Sequence, residues 1–379
     1  MPAALESAPV KSEAATLTLG RLLWLMLRVG ATGFGGGMAV IAMMEREFVQ
    51  RWAILSAEEF LNGVGLGQIL GSFAVNASFF VGFRRFGLLG GLLSAGSFLL
   101  PSVGLVTGLS ALYFRYHSIP AMQGAVAGLG PVVIALILEA VWSLSSKTVR
   151  GPSRIAIAVL AAAAGAFKVN TVWVLLAAGI VGFVFLSSGL PRLPTRRLAM
   201  VAALPIVAPT GLLATFLKIG FVFVGGGYVL LPMLHDHLVT RLNWLTPREF
   251  VDGVAISNLT PGPLAVLSTF AGYKLAGVTG AAVATVALLA PGILVMAVLS
   301  WGYARHRRNE LAQRFLAGIN PAVAGLVLSA AILLAPSALA SWRGWVFTAA
   351  SFLVLRTLRC HPAILLAAAA GAGALGVLP

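Results

Sequence analysis

The sequence predicts an all-α, polytopic helical membrane protein, with two homologous domains forming an inverted repeat of about 10–13 spans that include broken helices. Three observations carry this prediction. Of 379 residues, 59% are apolar and 10% are charged, and the apolar residues gather in runs of about 17–25. The second half repeats the first at an offset of 190 residues. The apolar run from Gly253 to Tyr273 also contains Thr260-Pro261-Gly262-Pro263-Leu264, where two prolines around a glycine cannot continue a helix. The period-2 alternation of a membrane β-barrel is not seen.

Residues 1–18 are polar and lack the basic start and short apolar core of a signal peptide, so they read as a disordered cytoplasmic tail. The first repeat occupies 19–190. Its first apolar run, Gly20 to Met44, is interrupted by Gly33-Phe34-Gly35-Gly36-Gly37, and a charged amphipathic connection follows to Phe60. Further runs cover Leu61 to Phe83, Phe86 to Phe114 around Pro101, and Ala121 to Leu144 around Pro131. Shorter runs lie at 155–167, 171–187 and 198–208, the last inside a linker, 191–209, with room for an extra crossing. The second repeat occupies 210–379. Net charge is +15, but the basic residues stand in ones to threes between the runs, as topology requires, and do not form a nucleic-acid surface. A single cysteine, Cys360, excludes an intrachain disulfide framework and a cysteine-rich metal site.

The repeat is read from matched positions. Gly35-Gly36-Gly37 corresponds to Gly225-Gly226-Gly227, Glu59-Phe60 to Glu249-Phe250, Gly82 and Gly90 to Gly272 and Gly280, Pro101 to Pro291, and Pro131 to Pro321. In the first half the tail and even connections are the more basic, and in the second half the odd connections are. If basic loops are cytoplasmic, the halves are inverted, the arrangement of alternating-access transporters with a site at the repeat interface.

Asn258 to Leu264 is the centre of the candidate site. Two half-helices meeting there at membrane depth are tolerated where protein buries the break or where it lines a cavity. The half-helix beginning near Pro263 aims its N–H groups at the break, which suits an anion. The glycine triplets serve either helix packing or close approach of backbone to a ligand. The first-half counterpart of Pro261-Gly262-Pro263 is Gly71-Ser72-Phe73, where Gln68, Ser72 and Asn76 offer hydrogen bonds and Gly71 permits a break. Lys218 and its counterpart Arg28 offer positive charge near the breaks, and Lys274 and Arg84 form a second matched pair; snorkelling to the interface is the simpler role of all four. Glu139, deep in an apolar run, is a candidate for proton coupling. Glu59 and Glu249 are matched, as are Asn62 and Asp252, at the mouths of the second runs; they either cap helices, the simpler role, or pair with Arg51 and Arg241. His235-Asp236-His237 reads as an exposed polar connection rather than a metal site. No metal, cofactor, nucleotide-binding motif or nucleophile elbow is indicated.

The stretch Lys218 to Tyr228, continuing to Leu231-Pro232, Asn243-Trp244-Leu245-Thr246, Glu249-Phe250, Thr260-Pro261-Gly262-Pro263 and Phe270-Ala271-Gly272-Tyr273, resembles the chromate ion transporter family in its long, two-domain form. Gly33-Phe34-Gly35-Gly36 and Glu59-Phe60 extend the resemblance into the first half. It implies a multi-pass protein of the bacterial inner membrane that exports chromate and also accommodates sulfate, both tetrahedral dianions. The family's first-domain Pro-Gly-Pro is replaced here by Gly71-Ser72-Phe73. The expected partners are the oxyanion and the lipid bilayer. An anion channel and a membrane-embedded reductase are the rival readings, separable by trans-stimulated flux and by whether chromate is reduced or expelled.

Overall fold

The computed structural model describes residues 18–33, 37–57, 59–60, 63–64, 67, 71–116, 119–185, 211–223, 229–301, 310–339, 341–358 and 361–376. These form helices and connections without strands. In the first repeat, α1 (Leu19–Thr32) and α2 (Gly37–Glu45) flank the glycine-rich interruption, and α2 runs into a π-helical segment, Arg46–Arg51. Then come α3 (Phe73–Tyr116), α4 (Pro120–Thr148), α5 (Pro152–Ala166) and α6 (Thr171–Phe185). In the second repeat, α7 (Leu212–Val222), α8 (Leu230–Leu234), a π-helical segment (His235–Arg241) and α9 (Pro247–Leu259) lead to α10 (Leu267–Trp301). The chain closes with α11 (Glu310–Ala338), α12 (Trp342–Thr357) and α13 (Pro362–Ala374).

The offset of 190 persists to α13, so the short runs at 155–167 and 171–187 are part of the repeat: α5 and α6 correspond to α12 and α13. Backbone irregularities repeat as well. Ala53 and Asn243 both have positive φ, and both π-helical segments close on the same bonds, Trp52 N–H to Glu47 C=O and Leu242 N–H to His237 C=O.

Among the described residues, four helical stretches are long and apolar enough to cross a membrane: Phe73–Tyr116, Met122–Ser146, Leu264–Trp301 and Gly318–Ala338. Two of these are folded back on themselves. α3 leaves helical geometry at Phe86 and Gly87 (φ +65°), and α10 does so at Ala276 and Gly277 (φ +60°). The arms of each hairpin lie backbone to backbone where Gly82 meets Gly90 and Gly272 meets Gly280. Small residues permit that approach. α5 and α6, at 15 residues each, are about 22 Å long, less than the roughly 30 Å hydrocarbon layer.

The two hairpins pack on each other, with α1 against α3 and α7 against α10. The closing helices are exchanged between repeats. α5 and α6 of the first pack on α11 of the second, and α12 and α13 of the second pack on α4 of the first. The core holds matched aromatics, Phe60 with Phe250 and Phe80 with Phe270, each of the latter filling the space beside a glycine, Gly63 or Gly253. The outside is apolar too: Leu160, Val278 and Trp301 are each more than 60% exposed, the surface expected to face lipid.

Candidate functional site

The breaks in each repeat meet the end of the first helix of the other. α9 ends at Leu259, and the chain is extended at Thr260 (φ −97°, ψ 147°). Pro263, also extended, caps a 3₁₀ turn, Leu264–Val266, that leads into α10. Gly262 between the prolines has φ +112°, which favours glycine. Its N–H donates to the carbonyl of Gly33, the C-cap of α1, at 3.2 Å. The Ser102 hydroxyl of α3 donates to the Pro261 carbonyl at 2.5 Å. In the first repeat Gly71 (φ +68°) makes a break without proline, and α3 starts two residues later. Gly71 packs on Phe223, the C-cap of α7 and the counterpart of Gly33.

This crossing joins two breaks, two helix C-caps and the N-termini of α3 and the Leu264 turn. N-terminal N–H groups with the positive end of the helix dipole can hold an anion. Of the polar candidates, Ser72 and Thr260 are buried at the breaks, and Asn76 donates to the Gly67 carbonyl at 3.2 Å. Thr260 and half-buried Asn258 donate to carbonyls of their own helix, Ser257 and Val254. Pro261 is buried, while Gly262, Pro263 and Leu264 are half-buried. Lys218 is half-buried on α7 and its charge acts on His237, whereas Arg28 is exposed on α1. Glu139 is half-buried on α4. Gly35, Gly36, Gln68, Gly225, Gly226 and Gly227 lie outside the described residues; Gly37 begins α2.

Two sequence expectations change at the mouth of the site. Glu59 and Glu249 do cap helices: each accepts from the N–H three residues back, Ser56 and Thr246, whose hydroxyls accept in return. Their ion-pair partners, however, are Arg84 at 2.5 Å and Lys274 at 2.6 Å, not Arg51 and Arg241. Arg51 and Arg241 turn instead to Glu47 and Asp236 in their own π-helical segments. The matched cations Arg84 and Lys274 thereby tie the first arm of each hairpin to the mouth. Burial raises the Glu249 carboxyl, but the Lys274 and Thr246 bonds outweigh it and hold the group below its ordinary 4.5. Stability from a depressed carboxyl is present above the unfolded value and is lost as pH falls through the folded one. Lys274→Met should therefore destabilise the purified protein at pH 7 by about 1–2 kcal/mol. The gap to wild type should close as pH drops below about 4.5; a gap constant with pH would refute the assignment.

The second change concerns His235-Asp236-His237, which is buried rather than exposed. His235 sits edge-on to Phe250 at 5.4 Å, His237 bonds the Met233 carbonyl at 3.0 Å, and Asp236 pairs with Arg241 at 2.9 Å. Burial lowers both imidazoles, so they are neutral near pH 7. Among the described residues no three potential ligands group to hold a metal.

A residue at the mouth carries more than the sequence suggested. Asp252, ahead of the apolar run that begins at Gly253, is 1% exposed. Its Oδ2 accepts from the Tyr113 hydroxyl of α3 at 2.8 Å, and its Oδ1 has no hydrogen-bond partner among the described residues. The nearest cation, Arg248, is 3.7 Å away and half in solvent. Burial pushes the carboxyl up to about 7; the Tyr113 bond and Arg248 oppose the shift, and Glu249 adds to it.

The sequence profile of the chromate transporter family matches residues 20–183 and again 210–374. The chain is 29% identical to a chromate transport protein of Cupriavidus metallidurans over 85% of its own length and 84% of that protein's. It is 30% identical to a probable chromate transport protein of Synechococcus elongatus over 84% of each. It is also 30% identical to a chromate transport protein of Pseudomonas aeruginosa over 82% of this chain and 79% of that one. No solved structure matches the chain.

Proposed function

The chain belongs to the chromate transporter family, and on that premise we propose that it exports chromate, or a tetrahedral oxyanion of the same shape such as sulfate, from the cytoplasm across a bacterial inner membrane. It acts as a carrier and not as an enzyme. The observation that carries the reading is the crossing at which Gly262 and Pro261 bond Gly33 and Ser102 of the other repeat. The dianion sits at this crossing, among Asn258 to Leu264, Ser72 and Asn76. Half-buried Lys218 or its exposed counterpart Arg28 supplies positive charge. The two repeats lie inverted and alternate the side from which the crossing is reached. A negative-inside potential assists outward movement by about 2.3 kcal/mol per charge per 100 mV.

Chromate uptake into everted membrane vesicles tests this. Vesicles carrying the protein should accumulate chromate when energised, excess sulfate should compete, and internal chromate should accelerate entry. Pro261→Ala with Pro263→Ala lets α9 continue toward α10 and should cut uptake roughly tenfold or more, since each proline costs a helix about 3 kcal/mol. Uptake that survives both changes would move the site elsewhere; no uptake by folded wild type would set chromate aside.

A further inference from the structure

Two hydrogen bonds tie the second arm of α3, in the first repeat, to α9 and its break, in the second. Ser102 donates to the Pro261 carbonyl at the crossing, and Tyr113 donates to Asp252 at the mouth. Numbering rises along one partner as it falls along the other, so the two segments run antiparallel. The bonds are therefore two rungs about 14–17 Å apart, given 1.5 Å per helical residue. The rung at the crossing joins a hydroxyl to a backbone carbonyl and does not titrate. The rung at the mouth contains a carboxylate.

We propose that Asp252 is the proton-binding site of this transporter, loaded together with the oxyanion at the crossing. The proposal rests on the transport reading above and deepens it. Asp252 Oδ1 is buried and has no hydrogen-bond partner among the described residues, so it is the atom that takes the proton. Oδ1 faces Arg248, whose Nε lies 3.7 Å away on a side chain that is 46% exposed, so the Arg248 side is the one from which a proton enters. Beyond the Tyr113 hydroxyl the surroundings are aromatic: the Tyr113 ring packs on Phe270 of α10 at 5.5 Å, and Phe270 on Phe114 at 5.1 Å. The titratable and charged groups acting on Asp252 are Tyr113 from α3, with Arg248 and Glu249 from α9 itself. Near neutral pH the carboxyl is poised between its two forms.

The coupling follows from charge. A dianion at the crossing and an ionised Asp252 repel each other through a medium of low dielectric, and a proton on Asp252 removes the repulsion. The same proton weakens the Tyr113 bond, because a neutral carboxyl is the poorer acceptor, and so loosens the mouth rung while the crossing rung holds. The corresponding position in the first repeat is Asn62, which cannot titrate. One proton is thus carried per pair of repeats. Glu139, which the sequence suggested for this role, is half-buried on α4.

The test uses the full chain in proteoliposomes loaded with a pH-sensitive dye, with the potential clamped by potassium and valinomycin. Chromate flux and lumenal pH are followed together, and protons moved per chromate are read rather than rate. Chromate itself takes up a proton near neutral pH, so Asp252→Asn supplies the baseline. Wild type should carry one proton per chromate more than Asp252→Asn. Equal ratios overturn the proposal. If Asp252→Asn gives no measurable flux, Tyr113→Phe decides. Removing that hydrogen bond should move the midpoint of the pH–flux profile, normalised to chromate speciation, to higher pH; an unmoved midpoint overturns the proposal. If wild type moves no chromate, the transport reading fails separately. Infrared difference spectra then test the proton site alone, through a protonated-carboxyl band that grows as pH falls through neutrality and is missing in Asp252→Asn. Failure to see that band overturns the assignment.

Discussion

Replacing Gly262 with valine should reduce chromate uptake into everted vesicles to background while leaving the protein in the membrane. Gly262 has φ +112°, a conformation that β-branched residues avoid. A non-glycine residue held there costs about 1–3 kcal/mol. A Cβ would also fall on the Ser102 hydroxyl, displacing its bond to the Pro261 carbonyl, worth about 1 kcal/mol more. Together that is about 2–4 kcal/mol at the point where the repeats touch, or on the order of a hundredfold in the population of the correctly docked break. Gly104→Val, two residues from Ser102 with open space beside it, is the control and should transport normally. Uptake by Gly262→Val within twofold of wild type would remove the crossing from the transport site.

The second large effect is on stability. Gly272→Leu should lower the thermal midpoint of the detergent-solubilised protein by about 5–10 °C. The two arms of the α10 hairpin meet at Gly272 and Gly280, and a side chain at 272 would strike the Gly280 carbonyl and the Ala284 methyl. Neither obstacle is the end of a flexible side chain, so the arms must separate. Separation also draws Lys274, on the same arm, from Glu249. Gly96→Leu, whose position in α3 faces open space, should change the midpoint little. If the two substitutions behave alike, tight backbone contact is not what holds the hairpins.

Legibility in the sequence followed the range of the interaction. The break at Thr260 to Pro263 is readable because proline acts on its own turn. The break at Gly71 is weaker to read because one glycine at positive φ replaces the prolines. The offset of 190 residues shows in matched glycines and prolines and continues in the structure to α13. What pairs with what was not readable. The bond from Gly262 to Gly33 joins two backbones without a side-chain signature. Asp252 read as a capping residue because its partner, Tyr113, lies 139 positions away. Glu139 drew notice instead, because a charge within an apolar run is conspicuous in one dimension. The burial of His235 to His237 was missed for a related reason: polar residues between apolar runs read as solvent-facing, yet this π-helical segment lies against Phe250.

The exchange of closing helices sets an order on how the chain can be made. When synthesis has passed Phe185, α4, α5 and α6 are complete, but α11, α12 and α13, against which they pack, do not yet exist. The contacts they await are tight. Gly124 and Gly128 of α4 lie on the backbone of α13, and Gly318 and Gly325 of α11 lie on the backbones of α6 and α5. The N-terminal half therefore waits in the bilayer with its partner surfaces covered only by lipid. α13 is made long after α4 and closes a contact with it. A chain truncated before Trp342 would lack α12 and α13, two of the helices that pack on α4, although every residue of the crossing would be present.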